Sequence, residues 1–177
     1  MTTIEEKLKA RIRDVADFPK PGILFKDITP LLEDPALCNE IAECLIMPFR
    51  TEQVHAIVGV ESRGFLFGML MAQKLNIPFI PVRKAGKLPY KTISCSYDLE
   101  YGSATVEMHI NSIKKDWKVI VHDDLLATGG TAAAAAELIL MQDAQIAGFS
   151  FLVELAFLEG AQRLNHFQKN VHSLIRY

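Results

Sequence analysis

Short, mostly apolar runs alternate along this chain with stretches in which apolar residues recur every third or fourth position. The runs at 54–60, 77–82, 118–122, 146–155 and 171–175 have the length and the Val, Ile and Phe content of buried strands. Ile4, Leu8, Ile12 and Val15 fall on one face of a predicted amphipathic helix over 4–15. Leu37, Ile41, Leu45 and Phe49 line a second helix, with Asp34 as its N-cap and Pro35 as its first helical residue. Further helices are predicted over 65–75, 131–141 and 160–164. Thr105, Glu107 and His109 alternate with Val106, Met108 and Ile110, as in a half-buried strand. Phe18-Pro19-Lys20-Pro21-Gly22 ends the first helix in a rigid turn, Ile23-Leu24-Phe25 is a short apolar run, and no period holds from Arg83 to Tyr97. Strands alternating with helices predict a single α/β domain over 1–177, its mostly parallel central sheet sheltered by helices on both faces.

Composition narrows the classes. A chain of 177 residues, half of them hydrophobic and 23% charged, has the make-up of an ordinary globular protein. At this size it buries roughly 70% of its unfolded surface. A formal net charge of −2 offers no global field for nucleic acid or an anionic membrane, so neither is an expected partner. No apolar stretch reaches the length of a membrane span, and Met1 to Lys7 is too charged for a secretory signal. Cys38, Cys44 and Cys95 are odd in number and lack C-x-x-C spacing, and the five histidines lack metal-ligand spacing. The expectation is a cytoplasmic protein without disulfides and without a protein-bound metal.

The chemistry concentrates in V-I-V-H-D-D-L-L-A-T-G-G-T, residues 119–131. A buried strand ends in two acids, and a small-residue turn leads into a helix. In open α/β sheets this edge of the strands is where ligands bind. Ala127, Thr128, Gly129, Gly130 and Thr131 suit an anion: the glycines allow positive φ and close backbone approach, the threonines offer hydroxyls, and the helix start offers unpaired N–H groups. Asp123 and Asp124 beside such a cradle suit a ligand carrying hydroxyls as well as a phosphate, such as ribose 5-phosphate. The glycines lack the following Lys of a nucleoside-triphosphate loop and the G-x-G-x-x-G of a dinucleotide site. His122 reads as a packing or hydrogen-bonding residue beside this motif.

This order of residues resembles the phosphoribosyl-diphosphate motif of the type I phosphoribosyltransferases, and the L-L-A-T-G-G-T form is most similar to that of the adenine-specific members. The resemblance implies that Ala127 to Thr131 hold the 5′-phosphate and that Asp123 and Asp124 hold the ribose hydroxyls. Glu61-Ser62-Arg63-Gly64 matches the family's pyrophosphate loop. Arg63 has the bidentate guanidinium that phosphate recognition favours. Arg83-Lys84-Ala85-Gly86-Lys87-Leu88-Pro89 resembles the flexible hood over the active site, here 83–103, and adds Arg83, Lys84 and Lys87 to the pyrophosphate contacts. Ala85 and Tyr90 depart from the basic residue and the glycine that many relatives carry. Leu99-Glu100-Tyr101-Gly102 resembles the far side of that hood and makes Glu100 the general acid/base, near N7 of the purine. Within residues 1–34, the N-terminal helix and base-binding segment, Phe25 would sandwich adenine with Leu125, while backbone groups of Leu24 and Lys26 read its edge. Lys26 stands where relatives often carry Arg, and without the resemblance Phe25 reads almost as well as an ordinary core residue.

What the resemblance implies is purine salvage: adenine and phosphoribosyl diphosphate give AMP and pyrophosphate, Mg²⁺ enters with the diphosphate, and the enzyme works as a homodimer. A hypoxanthine-guanine or xanthine enzyme, or a regulator that keeps the fold as a sensor, are the alternatives.

Overall fold

A computed structural model, describing residues 2–98 and 102–177, places the buried apolar runs side by side. Strands β3 (Ala56–Val60), β4 (Phe79–Lys84), β7 (Lys118–Leu126), β8 (Gln145–Glu154) and β9 (Val171–Arg176) run parallel in the spatial order β4-β3-β7-β8-β9. Strands β5 (Thr92–Asp98) and β6 (Ser103–His109) extend this sheet antiparallel at the β4 edge. Alternate residues of β3 and β7 serve two separate cores, as period-two side-chain direction requires. Val58, Val119 and Val121 pack under helix α4 (Gly130–Leu140), while Ile57 and Ile120 pack under α1 (Ile4–Arg11), α2 (Pro35–Ile46) and α3 (Gly64–Leu75). The five alanines from Ala132 to Ala136 are all buried, so α4 lies close on the sheet. Asp34 caps α2 by accepting the Leu37 amide at 3.0 Å. Helix α5 (Gly160–Leu164) precedes β9.

The chain leaves β3 through α3 on one face to reach β4, and leaves β7 through α4 on the other face to reach β8. The sheet's topological switch point therefore lies between the C-terminal ends of β3 and β7, where the 61–64 and 127–131 loops emerge.

Three expectations need correcting. The first helix stops at Arg11, and Arg13–Ala16 forms β1, paired antiparallel with β2 (Leu24–Asp27) so that Val15 faces Phe25. Val15 kept the helical phase only because a spacing of three positions from Ile12 also fits a new strand. The segment without a period contains β5, whose Ile93, Cys95 and Tyr97 pack on the α4 core while Ser94, Ser96 and Asp98 face away. Its weak apolar contrast hid the alternation. Finally, β7 runs on to Leu126, with Asp123 opposite Phe151, so the two acids belong to the strand rather than following it.

Candidate active site

The 127–131 loop has the geometry of an anion cradle. Gly129, the N-cap of α4, adopts φ +76°, ψ 2°, and no side chain caps the helix. The first helical bond runs from the Ala133 amide to the Gly129 carbonyl (2.9 Å), leaving the amides of Gly130, Thr131 and Ala132 ahead of the ladder. Asp123, Leu126 and residues 127–131 line a cavity of about 70 Å³ at this point. Gly160 packs directly against the loop: a Cβ on Gly129 would lie 2.8 Å from the Gly160 carbonyl oxygen, and a Cβ on Gly160 would collide with the Ala127 carbonyl. A glycine opening a short helix was the only sign of this in the sequence.

The acids differ in setting. Asp124 is 3% exposed, and Arg63 Nε lies 2.8 Å from its Oδ2. The N–H does not point along that line, so the pair is ionic and Oδ2 has no hydrogen-bond donor of its own. Burial raises the Asp124 carboxyl above the usual range against the pull of Arg63. Asp123, which accepts the Asp124 amide at 2.8 Å and lines the cavity, is pushed well up by burial and then by the Asp124 charge. Asp124 Oδ2 lacks a donor and Asp123 faces the cavity, and a vicinal diol supplies two donors to such a pair. Gly64 lets α3 start against β7: a Cβ there would sit 2.9 Å from Asp123 Oδ1 and from the His122 carbonyl.

His122 is fully buried, with Nδ1 2.9 Å from the Ser150 carbonyl; that contact puts the proton on Nδ1 and leaves Nε2 without a partner. Burial lowers its pKa to about 4. The unfolded chain takes up this proton near pH 6.5 and the folded chain resists until about 4, so acidification through that window favours unfolding. The loss reaches on the order of 3 kcal/mol at the acid end. Asp123 and Asp124 act in the opposite sense, so the test compares the pH dependence of urea unfolding in wild type and His122→Asn. The variant should be less acid-sensitive between pH 6.5 and 4; equal slopes would contradict the assignment.

The cations of the hood divide. Arg83 is held by Glu61 (Nε–Oε2 3.2 Å, Nη2–Oε1 3.3 Å) and by the Lys87 carbonyl (3.0 Å), and Glu61 also accepts the Lys84 amide (2.9 Å). Arg83 is thus committed to the protein here rather than directed at a ligand, whereas Lys84 and Lys87 are exposed. Glu107, 6% exposed, accepts the amides of Lys87 (3.1 Å) and Leu88 (2.9 Å) and thereby fastens the basic turn to β6; the Leu88 bond is the main one holding its carboxyl below the usual range. Sequence reasoning missed both anchors, because each links residues far apart in the chain. Glu100, the expected acid/base, lies outside the described residues.

Arg63 also joins the base segment to this edge. Its guanidinium stands 4.9 Å from the centre of the Phe25 ring, against which Phe18 packs edge-on at 5.0 Å. Leu24 is half exposed, while the Lys26 side chain is buried against Asp14 (2.6 Å) and over Tyr177, leaving only its backbone to face a ligand. Leu125, next to Asp124 on β7, is partly buried. A larger groove of about 470 Å³ between α1 and α2 lies elsewhere, and its charges satisfy one another in the pairs Lys7–Glu40 and Arg11–Asp34. Among the described residues, no three His, Cys, Asp or Glu side chains gather as a metal site, and no helix is long and apolar enough to cross a membrane.

Comparison with known proteins gives the family. Residues 27–172 match the model of the phosphoribosyl transferase domain. Adenine phosphoribosyltransferase of Nitrosococcus oceani is 51% identical over 97% of this chain and 99% of the relative. The crystal structure of the Rhodothermus marinus adenine phosphoribosyltransferase superposes with a TM-score of 0.93 at 47% identity, covering all of both chains. That of Saccharomyces cerevisiae, complexed with an imino-altritol bisphosphate and adenine, gives 0.90 at 38% identity over 98% of this chain and 99% of the other. This chain belongs to the phosphoribosyl transferase family and, within it, to the adenine phosphoribosyltransferases.

Proposed function

We propose that this protein transfers the 5-phosphoribosyl group of phosphoribosyl diphosphate to adenine, making AMP and pyrophosphate for purine salvage. The observation that carries the reading is the meeting of an uncapped helix start, a buried acid pair and an Arg63–Phe25 contact at one switch point. The amides of 127–131 take the 5′-phosphate and the cavity-facing Asp123, with Asp124, accepts the ribose hydroxyls. Arg63 already sits between Phe25 and Asp124, where the base and sugar ends of a nucleotide would meet. Moving off Phe25 would free its guanidinium for the diphosphate and the ring for adenine.

The anomeric carbon loses pyrophosphate through a cation-like transition state while N9 of adenine arrives from the opposite side. The protein's part is positioning and electrostatic stabilisation of the departing charge, to which exposed Lys84 and Lys87 contribute. Arg83 acts through Glu61, holding the hood's base in place. Glu100 exchanges the proton at the purine ring. Mg²⁺ would travel with the diphosphate and offset its charge. The residues fit a substrate-borne ion, since Asp124 is engaged by Arg63 and the ion keeps waters and phosphate oxygens readily.

The protein acts as a homodimer in the cytoplasm. Leu66 and Met69 leave an apolar strip on the outer face of α3, 41% and 53% exposed, suited to a second copy. The cysteines are free, in keeping with a reducing compartment.

The test is competition. Protein, Mg²⁺ and phosphoribosyl diphosphate are incubated with adenine, hypoxanthine, guanine and xanthine together, and the nucleotide is identified. AMP should dominate; IMP, GMP or XMP as the main product would select the sister enzymes, and binding without any nucleotide would select a sensor.

A further inference from the structure

Tyr97 lies on β5 with its ring toward α4, close enough that a Cβ on Gly130 would be 3.2 Å from Cδ2. Its hydroxyl is 2.9 Å from Thr131 Oγ1, in the first turn of α4. Thr131 in turn lines the cavity of the anion loop. The hood-side strand is therefore bonded to the phosphate loop through two hydroxyls, either of which can donate in the free protein.

A bound phosphate removes that freedom. Its dianion has no hydrogen to give, and Thr131 has one hydroxyl hydrogen. Once Thr131 donates to the phosphate, its bond with Tyr97 survives only with the phenol donating to Oγ1. That second bond fixes the Thr131 rotamer and polarises its O–H toward the anion.

Resting on the reading above, we propose that Tyr97 is a positioning residue for the 5′-phosphate, orienting the Thr131 hydroxyl from the hood side of the site.

The experiment measures the KM for phosphoribosyl diphosphate and the inhibition constant of ribose 5-phosphate in wild type, Tyr97→Phe, Thr131→Val, Thr131→Ser and the double variants. Ribose 5-phosphate carries the same phosphate and undergoes no transfer, and its binding is also followed directly by calorimetry. Loss of one such hydrogen bond in Tyr97→Phe should raise both constants about three- to tenfold. The KM for adenine and the thermal midpoint should hold. In the Thr131→Val background, Tyr97→Phe should add nothing; in Thr131→Ser, which keeps the hydroxyl, its effect should return. Unchanged constants in Tyr97→Phe would overturn the inference, as would factors that simply multiply in the Tyr97→Phe, Thr131→Val double variant. If wild type makes no AMP yet ribose 5-phosphate binding still depends on Tyr97, the inference stands and the adenine reading falls.

Discussion

Asp124→Asn is expected to lower kcat/KM for phosphoribosyl diphosphate by about a hundred- to a thousandfold, while the protein stays folded. The side chain keeps its size, so packing at the end of β7 is preserved. What disappears is the charge that faces Arg63 at 2.8 Å and that, in the proposed reaction, accepts the reacting sugar's hydroxyl. A charge-assisted bond to the sugar hydroxyl contributes about 1.5–3 kcal/mol, and the ionic contact with Arg63 is lost with it. Arg63 is 34% exposed and can turn to water, so stability suffers less than activity. Combination with Arg63→Ala separates the two parts. If Asp124 served Arg63 alone, the double variant would be no worse than Arg63→Ala; the ribose role predicts a further loss. Wild-type turnover in Asp124→Asn would remove the acid pair from the mechanism.

Gly129→Ala should cripple the enzyme by distorting the loop. At φ +76° a side chain costs about 1 kcal/mol or more on conformational grounds alone. The new Cβ would also meet the Gly160 carbonyl oxygen at 2.8 Å, and backbone cannot escape by changing rotamer. Either the loop or α5 must shift, for a total of about 2–4 kcal/mol. A displacement of the amides by about an ångström is enough to cost roughly a hundredfold in turnover. Gly22→Ala supplies the reference in urea unfolding, since its φ is +87° with open space around the Cβ. The excess destabilisation of Gly129→Ala over Gly22→Ala measures the Gly160 contact. A Gly129→Ala enzyme with normal kcat/KM would show that the loop's geometry is not what holds the phosphate.

The strand, loop and helix start at 119–131 were legible because the parts are local: an apolar strand, two acids, glycines and a helix start follow one another within a few residues. The mostly parallel sheet was legible because its strands alternate with helices along the chain. What escaped reading depends on distant partners. Nothing near Arg83 announces that Glu61 will hold it, nor does β6 announce that Glu107 will fasten the turn at 86–88. Tyr97 is invisible until β5 is folded over α4, and β5 itself was hidden by serines on its outer face. The sequence assigns Arg63 to the diphosphate, but its resting place between Phe25 and Asp124 follows from the switch-point geometry, which one sequence does not display.

The central claim is that backbone amides at 127–131 hold the 5′-phosphate of a nucleotide whose ribose rests on Asp123 and Asp124. A crystal structure with bound AMP addresses this directly. The account predicts the phosphate seated against the amides of 127–131, the 2′- and 3′-hydroxyls on the acid pair and the base beside Phe25. An AMP phosphate bound away from this loop, or a loop turning its carbonyls toward it, would contradict the account.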